Sequence, residues 1–287
     1  MGNIKEVCLS DIDHFPNHPF KVIKDEDFIR LTESIRDVGL ITPAIVRLKK
    51  NGRYELIAGH RRKLACELAG IPTMRCEIVE LSDDDAVILM VESNFQRTNI
   101  LPSEKAFAYK MRIEAMRRKA GRTKEKNLVP LGLHSSREIL SSETGESQTQ
   151  IHRYIRLTEL VPELLEYVDA GKIKMRPAVE LSYLDEEAQR DLVDEIDMNE
   201  ITPSYSQAIK MKKEFQEGNL TREQISIIMS ERKANQEDKL VFRSSTIKKL
   251  LPESVPSSQA EDYICKALEF YNRYLKNQMH KYKGRGK

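Results

Sequence analysis

The sequence predicts an α+β N-terminal domain with a small mixed sheet, an all-α domain built around a helix-turn-helix, and a small C-terminal helical unit. Three observations predict this. Residues 1–100 alternate short strand-like apolar runs with amphipathic helical stripes, the pattern of a packed sheet-and-helix unit. From Pro102 onward apolar residues recur at helical spacing until a strand-like run at Leu240. The composition (32% charged, 40% hydrophobic, no Trp) suits several small cores rather than one large one. The expected boundaries are 1–100, 101–200, a helical linker over 201–239, and 240–287.

Taken in order, Ile4 to Ile12 reads as a strand and turn, followed by the Pro-punctuated stretch Phe15 to Pro19. A helix from Asp25 to Val38 places Phe28, Leu31, Ile35 and Val38 on one stripe, and Gly39 stops it. Strands at 44–48 and 53–58 flank Asn51-Gly52, a strong hairpin signal. A helix from Arg61 ends at Gly70, and Met74 to Val79 alternates as a strand. Ser82 then caps a helix reaching about Ser93, with Asp83, Asp84 and Asp85 in its first turn. Pro102 starts a long helix with Phe107, Met111, Ile113 and Met116 on its apolar side.

Residues 136–144 read as a short helix, Gly145-Glu146 as a turn, and Ser147 as the cap of a second helix over Gln148 to Leu160. Helix, glycine turn and a helix with a polar start form the helix-turn-helix pattern. Ile151, Tyr154, Ile155 and Leu157 supply the packing side. Arg137 on the first helix, and Ser147, Gln148, Thr149, Gln150, His152, Arg153 and Arg156 outward on the second, are candidate DNA contacts. Gln and Arg can pair bidentately with base edges, and Ser and Thr serve phosphates. Lys172 and Lys174, in the basic loop after the next helix, add phosphate contacts. Further helices are expected over Pro162 to Ala170, Pro177 to Leu184 and Glu186 to Asp197, and Ser204 to Glu237 reads as a polar connector. In the last unit a strand at Leu240 to Arg243 and a helix at Thr246 to Leu251 precede an apolar helix from Gln259 to about Lys276. That unit is too small to stand alone, which points to a homodimer.

The formal charge of +2 hides local asymmetry. Nine basic residues lie between Lys105 and Lys126, and six with no acid between Arg273 and Lys287; such patches suit a polyanion. Cys8, Cys66, Cys76 and Cys265 lack metal-ligand spacing and are expected as reduced thiols. No apolar run approaches membrane-spanning length, so a cytoplasmic protein with no membrane contact is expected.

Gly59-His60-Arg61-Arg62 follows a strand and opens a helix. Glycine lets the backbone approach a ligand, and helix-start amides beside two arginines suit an anion. Asn94-Phe95-Gln96-Arg97, at the end of the helix after Ser82, offers groups that orient a polar ligand or pair with phosphate.

The ordered series Asn17-His18-Pro19, Gly39-Leu40-Ile41-Thr42-Pro43 with Val46-Arg47, Gly59-His60-Arg61-Arg62, Asn94-Phe95-Gln96-Arg97 and Leu101-Pro102-Ser103-Glu104-Lys105-Ala106 resembles the ParB/Spo0J partition-protein family. So do Gly145 through Leu160, Pro162, Gly171-Lys172-Ile173 and Glu180-Leu181-Ser182. The resemblance covers about residues 4–197 and implies a ParB/sulfiredoxin-like N-terminal domain. It implies a centromere-binding protein for plasmid, chromosome or mobile-element partition. Such a protein is cytoplasmic and nucleoid-associated, reads a palindromic double-stranded DNA site, and acts as a CTP-dependent clamp with a ParA-type ATPase as partner.

Carried over residue by residue, the resemblance puts Gly59, Arg61 and Arg62, with His60 between them, at the triphosphate of CTP. Asn94 falls near Mg²⁺, with Gln96 and Arg97 beside it, and Gly39, Thr42, Pro43 and Arg47 line the nucleotide. Three positions depart from the family pattern, in which acids stand where this chain has His60, Ser93 and Thr98. Glu92 is expected on a different face of its helix from Ser93. Metal binding and water activation lean on carboxylates, so CTP binding is expected and turnover as a weak CTPase is left open. A sulfiredoxin-type enzyme needs a Cys where this chain has Gly59. The alternative is a transcription or nucleoid-occlusion regulator built on the same domains without a ParA partner.

Overall fold

The computed structural model describes residues 3–97, 99–122, 133–231, 247, 250–252, 255–256 and 259–283. Residues 1–233 form one compact unit and 234–287 a second.

The first unit opens with a five-stranded sheet of order β1-β5-β3-β4-β2. Its strands are β1 (Asn3–Cys8), β2 (Ile12–Asp13), β3 (Ala44–Leu48), β4 (Tyr54–Ala58) and β5 (Thr73–Val79). β1–β5 and β3–β4 pair antiparallel, while β3–β5 and β2–β4 pair parallel, so the sheet is mixed as expected. α1 (Glu26–Val38) and α2 (His60–Ala69) pack together, and Phe28, Ile35, Ala65 and Cys66 join the core built on Val46, Leu56 and Met74. Asp25 caps α1 through a 2.8 Å bond from the Phe28 amide, and Gly39 ends it at φ 83°, a backbone that glycine adopts freely. Val38, expected on the buried stripe, is the last residue of α1 and is 70% exposed.

α3 (Asp83–Phe95) reaches two residues beyond its expected end. Its Ala86, Met90 and Val91 share a core with Phe15, Phe20 and Ile57, and with Ala108 of α4 (Pro102–Arg122). α4 buries Tyr109 and Ile113 and turns Phe107 outward at 39% exposure, the reverse of the expected face for Phe107. The reason is that α4 is covered by α3 on one side and by the helix-turn-helix on the other.

That motif is α5 (Leu133–Thr144) and α6 (Gln148–Arg156), joined at Gly145 with φ 71°. Leu140 and Ile151 close on Tyr109 and Ile113, with Tyr154 and Ile155 at the margin. α7 (Pro162–Asp169), α8 (Met175–Leu181) and α9 (Glu186–Asn199) follow.

The residues expected to form a connector instead form α10 (Tyr205–Gln216) and α11 (Arg222–Ser230). Ala208, Met211, Ile225, Ile228 and Met229 are buried in the same core as Leu164, Leu181 and Leu192. The helical body therefore continues through Ser230. Its polar surface helices carry only a narrow apolar stripe, and the stripe is legible only once its partner is known.

In the second unit α12 (Ala260–Lys283) presents Leu268, Phe270 and Tyr271 at more than half exposure. The strand expected at Leu240 to Arg243 lies outside the described residues, as does half of the helix expected at Thr246 to Leu251. Among the described residues no helix is long and apolar enough to cross a membrane.

Candidate nucleotide and nucleic-acid sites

The β4–α2 junction builds the first site. Gly59 sits at φ 112°, and a Cβ there would lie 2.9 Å from that of Ala44 on β3. Glycine is therefore required twice, for its backbone angle and for its approach to the neighbouring strand. No side chain caps α2. Its start forms one wall of a cavity of about 510 Å³, and the end of α3 forms the other. Gly59, His60, Arg61, Arg62, Asn94, Gln96 and Arg97, separated by over thirty positions in sequence, are brought together in this lining.

The charges of the cavity are unevenly matched. Arg61 reaches Asp25 at 2.8 Å and lies over the Phe28 ring. Arg62 donates instead to the Thr42 and Pro43 carbonyls, at 2.9 and 2.6 Å. Arg97 lies over Phe20, 5.8 Å from the ring centre. Among the described residues neither Arg62 nor Arg97 has an acidic partner, and burial lowers the pKa of both. His60 is 8% exposed, and its ring centre is 3.7 Å from that of His18. His18 Nδ1 donates to the Phe20 carbonyl at 2.9 Å, whereas Nε2 of each imidazole is buried without a partner. Burial, reinforced by neighbouring positive groups, pushes His18 down to about 4 and His60 to about 3, so both are neutral near pH 7.

The structure places the other expected residues of this site as follows. Arg47 is engaged as a structural cation: its cross-strand partner Glu55 is 2.6 Å away and Asp83 is 2.7 Å away. Gly39 ends α1 and is not in the lining. Thr42 and Pro43 enter through their carbonyls, which hold Arg62. Glu92, expected on a different helix face from Ser93, lies in the lining together with it. Asn94, expected as the metal ligand, is buried, with its amide donating to the Met90 carbonyl at 2.8 Å. Leu89 and Ile45, which also line the cavity, carry no sequence signal separable from ordinary core residues.

The second site is α6. Ser147 caps it by accepting from the Gln150 amide at 3.2 Å. Gln148, Thr149 and His152 are exposed and Arg153 half-buried, and among the described residues none of these side chains makes an internal hydrogen bond or ion pair. Burial, helped by Arg137 and Arg156, lowers His152. Lys172 and Lys174 are exposed on the loop before α8. Arg137 has a buried Nε without a partner. Arg156, unlike these residues, bonds the hydroxyl and carbonyl of Ser182 and stacks 4.2 Å over Tyr183, fixing α6 to α8.

The expected basic patch on α4 is largely neutralised within the chain. Lys105 pairs with Glu146, Lys110 with Glu159, Arg118 with Asp84 and Lys119 with Asp85. Arg112 is buried between Glu92 and Glu143. Lys124 and Lys126 lie outside the described residues. The Leu101–Ala106 stretch is a structural joint: Glu104 accepts from the amides of Lys21 and Leu101, and Ser103 donates to Asp169. All four cysteines are free, and burial raises Cys66 and Cys76, the latter to about 11.

Residues 1–95 match the model of the ParB N-terminal domain, and residues 132–214 that of the ParB HTH domain. The chain is 32% identical over 193 residues to a probable chromosome-partitioning protein ParB of Chlamydia trachomatis, covering 66% of this chain and 63% of the relative. It is 31% identical over 186 residues to the chromosome-partitioning protein Spo0J of Thermus thermophilus, covering 65% and 62%. The match thus spans a little under two thirds of these curated relatives. A C-terminally truncated ParB from Caulobacter crescentus, solved with CTP-gamma-S, is 25% identical and aligns over 68% of this chain and 99% of that one, with a TM-score of 0.31. With both domain models matched in order and the mixed sheet followed by a helix-turn-helix, the chain belongs to the ParB family of partition proteins.

Proposed function

We propose that this chain is a sequence-specific, centromere-type DNA-binding protein for DNA partition whose N-terminal cavity binds CTP. The observation that carries the proposal is the outer face of α6, where Gln148, Thr149, His152 and Arg153 have no internal partner although the helix itself is capped and packed. Side chains of this type reach base edges from a major-groove helix, while Ser147, Lys172 and Lys174 suit flanking phosphates. A dimer reading two half-sites fits a palindromic site, and α12 offers an apolar face for such pairing.

The cavity supports the nucleotide half of the proposal. Arg62 and Arg97 are half-buried guanidiniums without carboxylates, beside an uncapped helix start, and a triphosphate supplies the missing negative charge. Closure of a dimeric clamp on nucleotide binding, nucleoid association and a ParA-type ATPase partner are the finer parts of this proposal and rest on family membership. Mg²⁺ fits the lining poorly, because Glu92, its one carboxylate, is already held by Arg112 at 2.6 Å.

The test is to sequence the DNA that co-precipitates with the protein, then to titrate the recovered site with CTP, ATP or GTP present. Enrichment of a palindrome, and a response confined to CTP, is expected. Random DNA recovery overturns the DNA assignment, and indifference to CTP overturns the nucleotide assignment.

A further inference from the structure

The lining of the β4–α2 cavity is unbalanced. Arg61 is paired with Asp25 from outside the lining, and Arg62 and Arg97 share the lining with a single carboxylate, Glu92. That carboxylate is committed to Arg112, whose side chain is only 4% exposed and would be left with an incomplete partner set if Glu92 turned away. The remaining oxygen donors are weak ligands for a hard cation. Ser93 Oγ and Asn94 Nδ2 both donate to the Met90 carbonyl, leaving amide oxygens at Asn94 and Gln96. Mg²⁺ is normally held through one or two carboxylates together with substrate phosphates, in near-octahedral geometry. A divalent ion entering here would also meet two guanidiniums that have no acidic partner.

The same lining is well supplied for direct contact with an anion. Arg guanidiniums present planar forks that match phosphate oxygens. His60 lines the cavity at only 8% exposure, and its buried Nε2 has no hydrogen-bond partner. It stands at the position where the family pattern has an acid, so one negative charge is replaced by a neutral hydrogen-bonding ring.

We propose that this cavity holds the nucleotide triphosphate directly on Arg62, Arg97 and His60, without a bridging divalent cation. The inference rests on the nucleotide reading above. It makes the protein's own cations do what a bridging metal does elsewhere: neutralise the phosphates and fix their position.

The experiment is calorimetric titration of the full chain with CTP, in Mg²⁺ buffer and again in EDTA. The dissociation constants are expected to agree within about threefold, under 1 kcal/mol. A larger loss in EDTA overturns the proposal while leaving the nucleotide reading intact. No binding in either buffer overturns both, so the two failures are distinguishable. Arg97→Gln provides the second arm, and should weaken CTP about tenfold in both buffers alike. A weakening seen only in EDTA assigns the neutralising role to the metal and also overturns the proposal.

Discussion

The cations of α4 and two of those in the β4–α2 cavity, Arg62 and Arg97, look alike in sequence and differ in the fold. Arg61, paired with Asp25, resembles the α4 group. Lys105, Lys110, Arg112, Arg118 and Lys119 each meet an acid from another element, and so join α4 to α3, α5 and the segment after α6. Arg62 and Arg97 meet backbone carbonyls and an aromatic ring. A neutralised cation holds structure together, whereas one kept from water without an acid is poised for an anionic ligand. The density of basic residues is therefore a poor guide to a binding surface, and their pairing a good one.

Substitutions can break this contrast. Arg112→Met should cost the most stability, about 2 kcal/mol: losing a buried partner can cost more, but Glu92 and Glu143 are themselves about half exposed. Urea unfolding measures it, and an unchanged midpoint would show that the ion triad is not structural. Arg62→Ala should act oppositely, weakening CTP by about 2 kcal/mol with little loss of folding stability. Calorimetry beside urea unfolding separates the two effects, and equal damage to both refutes the contrast.

Arg153→Ala is expected to cost about 1–3 kcal/mol on the cognate site and far less on random DNA, read by fluorescence anisotropy. An equal loss on both DNAs reassigns α6 to phosphate contact. Arg156→Ala should instead loosen the attachment of α6 to α8 and lower the melting temperature.

Acid sharpens the electrostatic side of the comparison. His18 and His60 are neutral when folded and ordinary imidazoles, near 6.5, when unfolded. Below that value the unfolded chain binds more protons, so their contribution is complete above about pH 6.5 and falls as pH drops toward 4. The melting temperature should decline over that window, and less steeply in His60→Gln. Identical slopes would remove the stacked pair as the cause. The smallest effect is expected from Lys110→Ala, whose pair with Glu159 is solvent-exposed at 40% and 50%: under about 0.5 kcal/mol.

Much of the fold is legible in the chain. The Asn-Gly hairpin, the Ser82 cap and the Gly145 turn depend on local chemistry and stand where that chemistry places them. Phe107, Val38 and the 205–230 helices do not, since their environment is set by whatever packs beside them. The site divides the same way. Gly59, Arg61 and Arg62 stand together in the chain, whereas the membership of Glu92 in the cavity lining and the ion pairs and hydrogen bonds of Arg47 and Arg156 depend on distant partners.

The sequence by itself determined the order of domains and the polar start of α6, because each is written in residue type and short spacing, and the resemblance to the family marked His60 as standing where an acid is usual. Only the tertiary structure decided which arginines are free to bind. The side chains that neutralise an arginine come from other elements: Asp83 at the start of α3 for Arg47, and Glu92 and Glu143 for Arg112. Packing alone brings those charges within a few ångströms, where their attraction is strong enough to pair them.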